Sequence, residues 1–151
     1  MEYRTTKSED MENNGHLIAK NLKGGDVVLL YGELGSGKST LTKGMANELG
    51  VKEITTSPTF TLMNVYKTTH PKIKNFVHCD TYRLRSKDDL EDIGLTDYLY
   101  KKDTVCIIEW PDKVEDLIKE KNTIKIHIEY INKEDRKITV EEANPNISFN
   151  S

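Results

Sequence analysis

Apolar and polar residues follow two different spacings along this chain, and each change of spacing marks an element. From Ser8 the spacing is helical. Ser8 suits an N-cap, Glu9 and Asp10 suit the first turn, and Met11, Gly15, Ile18 and Leu22 follow on one face, with Gly24-Gly25 as the stop. Val27-Val28-Leu29-Leu30-Tyr31 is an unbroken apolar run, which reads as a buried strand. Leu41, Met45 and Leu49 then recur every fourth residue, and Gly50 ends the helix they predict.

Further on, Thr55–Thr59 is a loop by composition. Phe60–Tyr66 and Ile73–Tyr82 are rich in β-formers and flank a turn-like Thr68–Pro71, so a hairpin is expected. Ser86 can cap a short helix, Lys87–Ile93, which Gly94 stops; Leu95–Tyr100 adds a further helical turn or two. Val105–Ile108 is a second buried run, broken by Pro111, after which Val114, Leu117 and Ile118 suggest a short helix. Thr123–Ile131 alternates, with Ile124, Ile126, Ile128 and Tyr130 facing one way. Arg136–Glu142 alternates too, and Asn132–Asp135 joins the two as a hairpin turn. The tail from Asn144 to Ser151 is expected to fray. With no repeat and no linker, residues 1–151 read as a single α/β domain. Its sheet is mostly parallel, flanked by helices, with antiparallel hairpin additions at the edge.

One stretch turns this pattern into chemistry. Gly32-Glu33-Leu34-Gly35-Ser36-Gly37-Lys38-Ser39 reads G-x-x-x-x-G-K-S, and it lies between the first buried strand and a helix. Glycines let backbone N–H groups turn inward around a phosphate chain, and the helix N-terminus adds partial positive charge. The nucleotide-binding set is therefore Glu33, Leu34, Gly35, Ser36, Gly37, Lys38, Ser39 and Thr40. Lys38 is expected to reach the β- and γ-phosphates, and the Ser39 hydroxyl to ligate Mg²⁺.

Composition narrows the partners. Of 151 residues, 31% are charged, and the net charge is −3. This argues against a broad basic surface that binds nucleic acid unaided, although a partner can still present it. No apolar run is long enough to span a membrane. Met1–Thr6 is polar and lacks the apolar core of a signal peptide, so a cytoplasmic protein is expected. Cys79 and Cys106 sit in strand-like segments and read as buried reduced thiols.

A phosphate loop needs carboxylates for Mg²⁺ and its waters. Glu109 follows Val105–Ile108 at a strand tip; it can bind Mg²⁺ through water or orient an attacking water. In His78-Cys79-Asp80-Thr81-Tyr82-Arg83, residues His78, Asp80 and Tyr82 share a face if the chain is extended. Asp80 is the candidate for the second magnesium-side carboxylate, and Arg83 either neutralises phosphate or pairs with an acid. Zinc is not expected, because adjacent His78 and Cys79 point apart. Asn132-Lys133-Glu134-Asp135 matches the N-K-x-D guanine-reading pattern, but no D-x-x-G precedes it, so the turn is the better reading.

Taken in order, Gly32–Thr40 (GELGSGKST), Ser57–Phe60 (SPTF), His78–Leu84 (HCDTYRL) and Glu109–Pro111 (EWP) resemble the TsaE family, also called YjeE. The resemblance runs from the first helix to the terminal hairpin and implies a P-loop NTPase fold. It implies an ATPase, with ATP and Mg²⁺ as cofactors, that hydrolyses slowly alone. The implied partner is the TsaD–TsaB pair, which modifies adenosine 37 of tRNAs reading ANN codons with a threonylcarbamoyl group; tRNA is met only through those partners. Matched to the motifs, Lys38, Asp80 and Glu109 are catalytic, and Ser39, Asp80 and Glu109 hold the metal. Thr59 lies in a switch-like loop, and Arg136 approaches the nucleotide from the terminal hairpin. Trp110 either couples to a partner or simply packs. The competing reading is a small-molecule or nucleoside kinase, with Arg83 and Arg85 clamping the phosphoryl group; little chain remains for an acceptor pocket. A GTPase switch is a third reading, weakened by the missing D-x-x-G.

Overall fold

The computed structural model describes residues 2–5, 8–33, 35–52, 63–81, 87–111, 117–118 and 121–142. In chain order the elements are β1 (Glu2–Thr5), α1 (Ser8–Ala19), β2 (Val27–Gly32), α2 (Lys38–Glu48), β3 (Met63–Lys67) and β4 (Asn75–Asp80). There follow α3 (Lys87–Ile93), a 3-10 turn (Leu95–Asp97), β5 (Thr104–Glu109), β6 (Thr123–Tyr130) and β7 (Arg136–Glu142). The strands form a seven-stranded sheet in the order β1-β7-β6-β2-β5-β4-β3. The centre is parallel: β2 pairs with β5 and β6, and β5 with β4. Both margins are antiparallel, through β3–β4 on one side and β6–β7–β1 on the other. The expected α/β architecture is therefore present, with antiparallel strands on two edges rather than one.

Buried runs become central strands because both faces are covered. Val28, Leu30, Phe76, Val105, Ile107, Ile124 and Ile126 meet Ile18, Leu41, Met45 and Leu49 of the α1–α2 layer. On the opposite face Val27, Leu29, Val77, Cys79, Cys106 and Ile108 meet Leu95, with Ile93, Tyr98, Leu99, Tyr100, Leu117 and Ile118 packed around them. Helices α1 and α2 touch closely. A Cβ on Gly44 would lie 2.1 Å from the Glu12 carbonyl oxygen, and one on Gly15 would lie 2.4 Å from that of Leu41. Glycine at both positions allows the contact that seats α2, and α2 carries Lys38.

Four boundaries differ from the pattern. α1 ends at Ala19, ahead of Gly24-Gly25, because Asn21 and Leu22 donate three residues back, to Ile18 and Ala19, and tighten the chain. Leu22 is still buried. The second arm of the first hairpin is Asn75–Asp80, shorter than Ile73–Tyr82, and the last long strand stops at Tyr130. β1 was not expected at all: Glu2–Thr5 is polar, and only Tyr3 and Thr5 pack inward. Asn132–Asp135 does form the hairpin turn. Asn132 Oδ1 accepts from the Glu134 and Asp135 amides at 2.9 and 2.8 Å. Both cysteines are free and buried. The expected short helix at Val114 and the fraying tail lie outside the described residues, Leu117 and Ile118 excepted. No helix among the described residues is long and apolar enough to cross a membrane.

Candidate functional site

The carboxyl ends of β2, β4 and β5 open side by side, and the predicted loop leaves the first of them. Beyond Gly32 the chain passes through Gly35 at φ 78° and Gly37 at φ 108°, both left-handed, and enters α2 at Lys38. A Cβ would strain either position. Gly37 offers α2 no side-chain cap, so the first-turn N–H groups remain available to an anion. Ser36 Oγ is buried and has no hydrogen-bond partner among the described residues. Ser39 is exposed at the helix start and Thr40 half-buried.

Lys38 is the hub. Its side chain is buried, its Nζ donates to the Gly32 carbonyl at 2.5 Å, and it stands 3.6 Å from the centroid of the Trp110 ring. Burial pulls its pKa below the usual lysine value; the carboxylates of Glu109 and Asp80 pull the other way. Those carboxylates come from neighbouring parallel strands, where Asp80 pairs in register with Glu109. Alternation puts Glu109 on the same sheet face as Val105 and Ile107, the face that α2 covers. Asp80 is half-buried, whereas Glu109 is only 5% exposed. A buried carboxylate needs partners, and Glu109 Oε2 lies 2.5 Å from His78 Nε2.

Trp110 has φ 57°, a backbone setting that a bulky residue rarely adopts. Thr81 holds it there. Its amide and hydroxyl donate to the Glu109 carbonyl at 3.1 and 2.9 Å, and the hydroxyl also donates to the Trp110 carbonyl. Trp110 and Pro111 line a cavity of about 490 Å³ together with Tyr31, Gly32 and Glu33 from the end of β2 and His127, Ile128, Glu129 and Tyr130 from the end of β6. Tyr31 and His127 stack there, with centroids 4.6 Å apart.

The structure thus brings Lys38, Asp80, Glu109 and Trp110 together beside Gly35–Ser39. Arg136 stands one ring away. Its guanidinium lies 3.9 Å over Tyr130, whose hydroxyl would sit 3.0 Å from a Cβ on Gly35. Its Nη1 donates to the carbonyls of Asn132, Lys133 and Asp135, so in this structure it braces the turn. Leu34, Thr59 with the rest of Ser57–Phe60, and Arg83 and Arg85, on which the kinase reading depends, lie outside the described residues. Sequence reasoning did not find the partnership of His78 with Glu109, the clasp made by Thr81, or the aromatic rim. Alternation placed His78 on the right face, but nothing local in sequence says that β4 lies beside β5. Among the described residues no group of three His, Cys, Asp or Glu side chains converges in a metal-holding arrangement. The oxygen atoms carried by Ser39, Asp80 and Glu109 are of the kind a hard cation prefers.

Comparison with known proteins agrees with this geometry. The family model for "Threonylcarbamoyl adenosine biosynthesis protein TsaE" matches residues 5–138. A protein of Bacillus subtilis (strain 168) called tRNA threonylcarbamoyladenosine biosynthesis protein TsaE is 35% identical over 92% of this chain and 84% of its own. One of the same name from Streptomyces coelicolor is 41% identical over 77% of this chain and 78% of its own. The crystal structure of Bacillus subtilis YdiB superposes with a TM-score of 0.78 at 29% identity, covering 97% of this chain and 88% of that one. The sheet has the architecture of that P-loop NTPase fold, and the chain belongs to the TsaE family.

Proposed function

We propose that the chain, acting as one domain in the cytoplasm, binds ATP with Mg²⁺ at Gly32–Thr40. On this reading it hydrolyses ATP slowly and supports threonylcarbamoyl modification of adenosine 37 in tRNAs reading ANN codons. The observation that carries the reading is the buried Lys38 ammonium, set between a glycine loop and the strand-tip carboxylates Asp80 and Glu109. The Ser36 Oγ within that loop, which has no hydrogen-bond partner among the described residues, is consistent with a phosphate chain as acceptor.

In this mechanism the loop amides and the α2 N-terminus bind the phosphates, and Lys38 leaves Gly32 and Trp110 to reach the β- and γ-oxygens. Mg²⁺, held by Ser39, Asp80 and Glu109, would neutralise charge on the phosphates. Glu109, with one oxygen engaged by His78, uses the other to act on Mg²⁺ through water or to orient the attacking water. The cavity beside the loop takes the rest of the nucleotide, adenine in preference to guanine, because Asn132–Asp135 is committed to its turn. Arg136 approaches through Tyr130. Trp110 changes contact when Lys38 moves, and so hands the nucleotide state to the TsaD–TsaB pair, with Thr59 in the adjoining switch-like loop.

The test is a reconstituted modification assay with TsaD, TsaB, the threonylcarbamoyl donor and tRNA. Multiple-turnover product is expected with wild-type protein and not with Lys38→Ala. Equal yields with both, and with neither added, would end the proposal.

A further inference from the structure

We propose that His78 is the positioning residue for Glu109: it engages one carboxylate oxygen, so that the other faces the phosphate site and Lys38 stays available for nucleotide. The inference rests on the ATPase reading above and names a role that reading leaves open.

Both residues are buried, at 5% exposure each, and Nε2 and Oε2 are 2.5 Å apart. The strands are parallel neighbours, with His78 in register with Ile107 and Asp80 with Glu109. His78 therefore reaches forward from the same sheet face, one pleat behind the carboxylate. The Glu109 backbone is also fixed, because its carbonyl accepts from both the amide and the hydroxyl of Thr81. Backbone clasp and imidazole together leave the carboxylate little freedom to swing. Without His78, the Lys38 ammonium, on which Glu109 and Asp80 both act, is the cation that would draw the buried carboxylate. A Glu109–Lys38 pair would take from the loop the cation its phosphates need, and would turn the carboxylate away from the reacting water. His78 thus prevents the two functional charges from neutralising each other.

The experiment compares His78→Leu, His78→Gln and His78→Asn with wild type. The readouts are ATP turnover, ADP affinity by calorimetry, and thermal melting. Loss of such an outer partner typically costs about 10- to 100-fold in activity. His78→Leu is expected to lose that much in kcat. His78→Gln, which keeps an N–H donor near the Nε2 position, is expected to recover most of it. If His78→Leu does not fold, the contrast between Gln and the shorter Asn serves the same purpose. In a Glu109→Gln background, His78→Leu should add less than about twofold, since residues acting through one contact are not additive. A further readout needs no nucleotide: the imidazole ¹⁵N signals of His78 in the free protein should shift in Glu109→Gln and stay in place in Lys38→Ala. Wild-type turnover in His78→Leu, no advantage of Gln over Leu or Asn, full additivity with Glu109→Gln, or an unmoved imidazole signal would each overturn the proposal. An inactive wild-type protein that also fails to bind ADP would instead overturn the ATPase reading, and this role with it.

Discussion

Removing the Lys38 ammonium should weaken nucleotide binding by a calculable amount. In the free protein the ammonium meets the Gly32 carbonyl at 2.5 Å and the Trp110 face at 3.6 Å, and on this reading it gives both up to reach a phosphate. A hydrogen bond to a charged group contributes about 1.5–3 kcal/mol net. The abandoned ring contact is worth about 0.5–2 kcal/mol and is set against this gain. The Gly32 bond is exchanged for one phosphate contact, so the net gain is a second charged contact less the ring contact, about 1–2 kcal/mol. At about 1.4 kcal/mol per tenfold this is about a 5- to 30-fold rise in the Kd for ATP in Lys38→Ala. Calorimetry on mutant protein shown to be folded by its melting curve gives the number. A second readout comes from Trp110, the one tryptophan in the chain. Its emission should change on nucleotide addition in wild type, and should already be altered in nucleotide-free Lys38→Ala. A folded mutant with Kd within twofold of wild type would refute the reasoning, and with it the assignment of Gly32–Ser39 to phosphate.

Three further outcomes are expected. Gly44→Ala should lower the denaturation midpoint by about 1–3 kcal/mol worth of stability, because its methyl meets backbone at 2.1 Å and α1 must shift away. Asp26, buried under the start of β2, accepts from the Lys23 amide at 2.7 Å, yet burial lifts its carboxyl from 3.8 to about 6; the folded state then binds more protons than the unfolded one between those values, so denaturant titrations should show stability falling as pH rises from about 4 to 6, by at most ~3 kcal/mol, with the loss absent in Asp26→Asn. Cys79 and Cys106, whose thiols burial pushes up to about 12, should resist a thiol reagent at neutral pH until the protein unfolds.

What could be read from the chain was whatever is local. Val27–Tyr31, Val105–Ile108 and the loop between Gly32 and Ser39 announce themselves by composition over a few residues, and the structure keeps them as β2, β5 and the turn into α2. Glu109 could be picked out because it closes an apolar run, and Asp80 because His78–Arg83 carries more polar chemistry than a core strand should. Their being side by side could not, since it depends on the order β2-β5-β4, which no spacing encodes. The same ignorance of strand order hid the tie between His78 and Glu109 and the grip of Thr81 on Trp110, both of which cross from β4 or its end to β5. β1 was hidden for another reason. An edge strand paired on one side needs few apolar residues, and Glu2–Thr5 has only Tyr3.

That edge strand sets a schedule. Glu2–Thr5 pairs with Arg136–Thr139, so a segment that leaves the ribosome early finds its place only against one made late. α1, β2 and α2 can assemble from contacts near in sequence, and the phosphate loop can take shape with them. The margin beyond β6 must wait for β7, and closing so long a loop is a slow step of a kind that local contacts cannot hasten. Until β7 arrives, β6 presents open backbone where Tyr130 and the cavity rim will later be fixed. The phosphate loop can thus take shape from local contacts, whereas the aromatic rim depends on pairings that span the length of the chain.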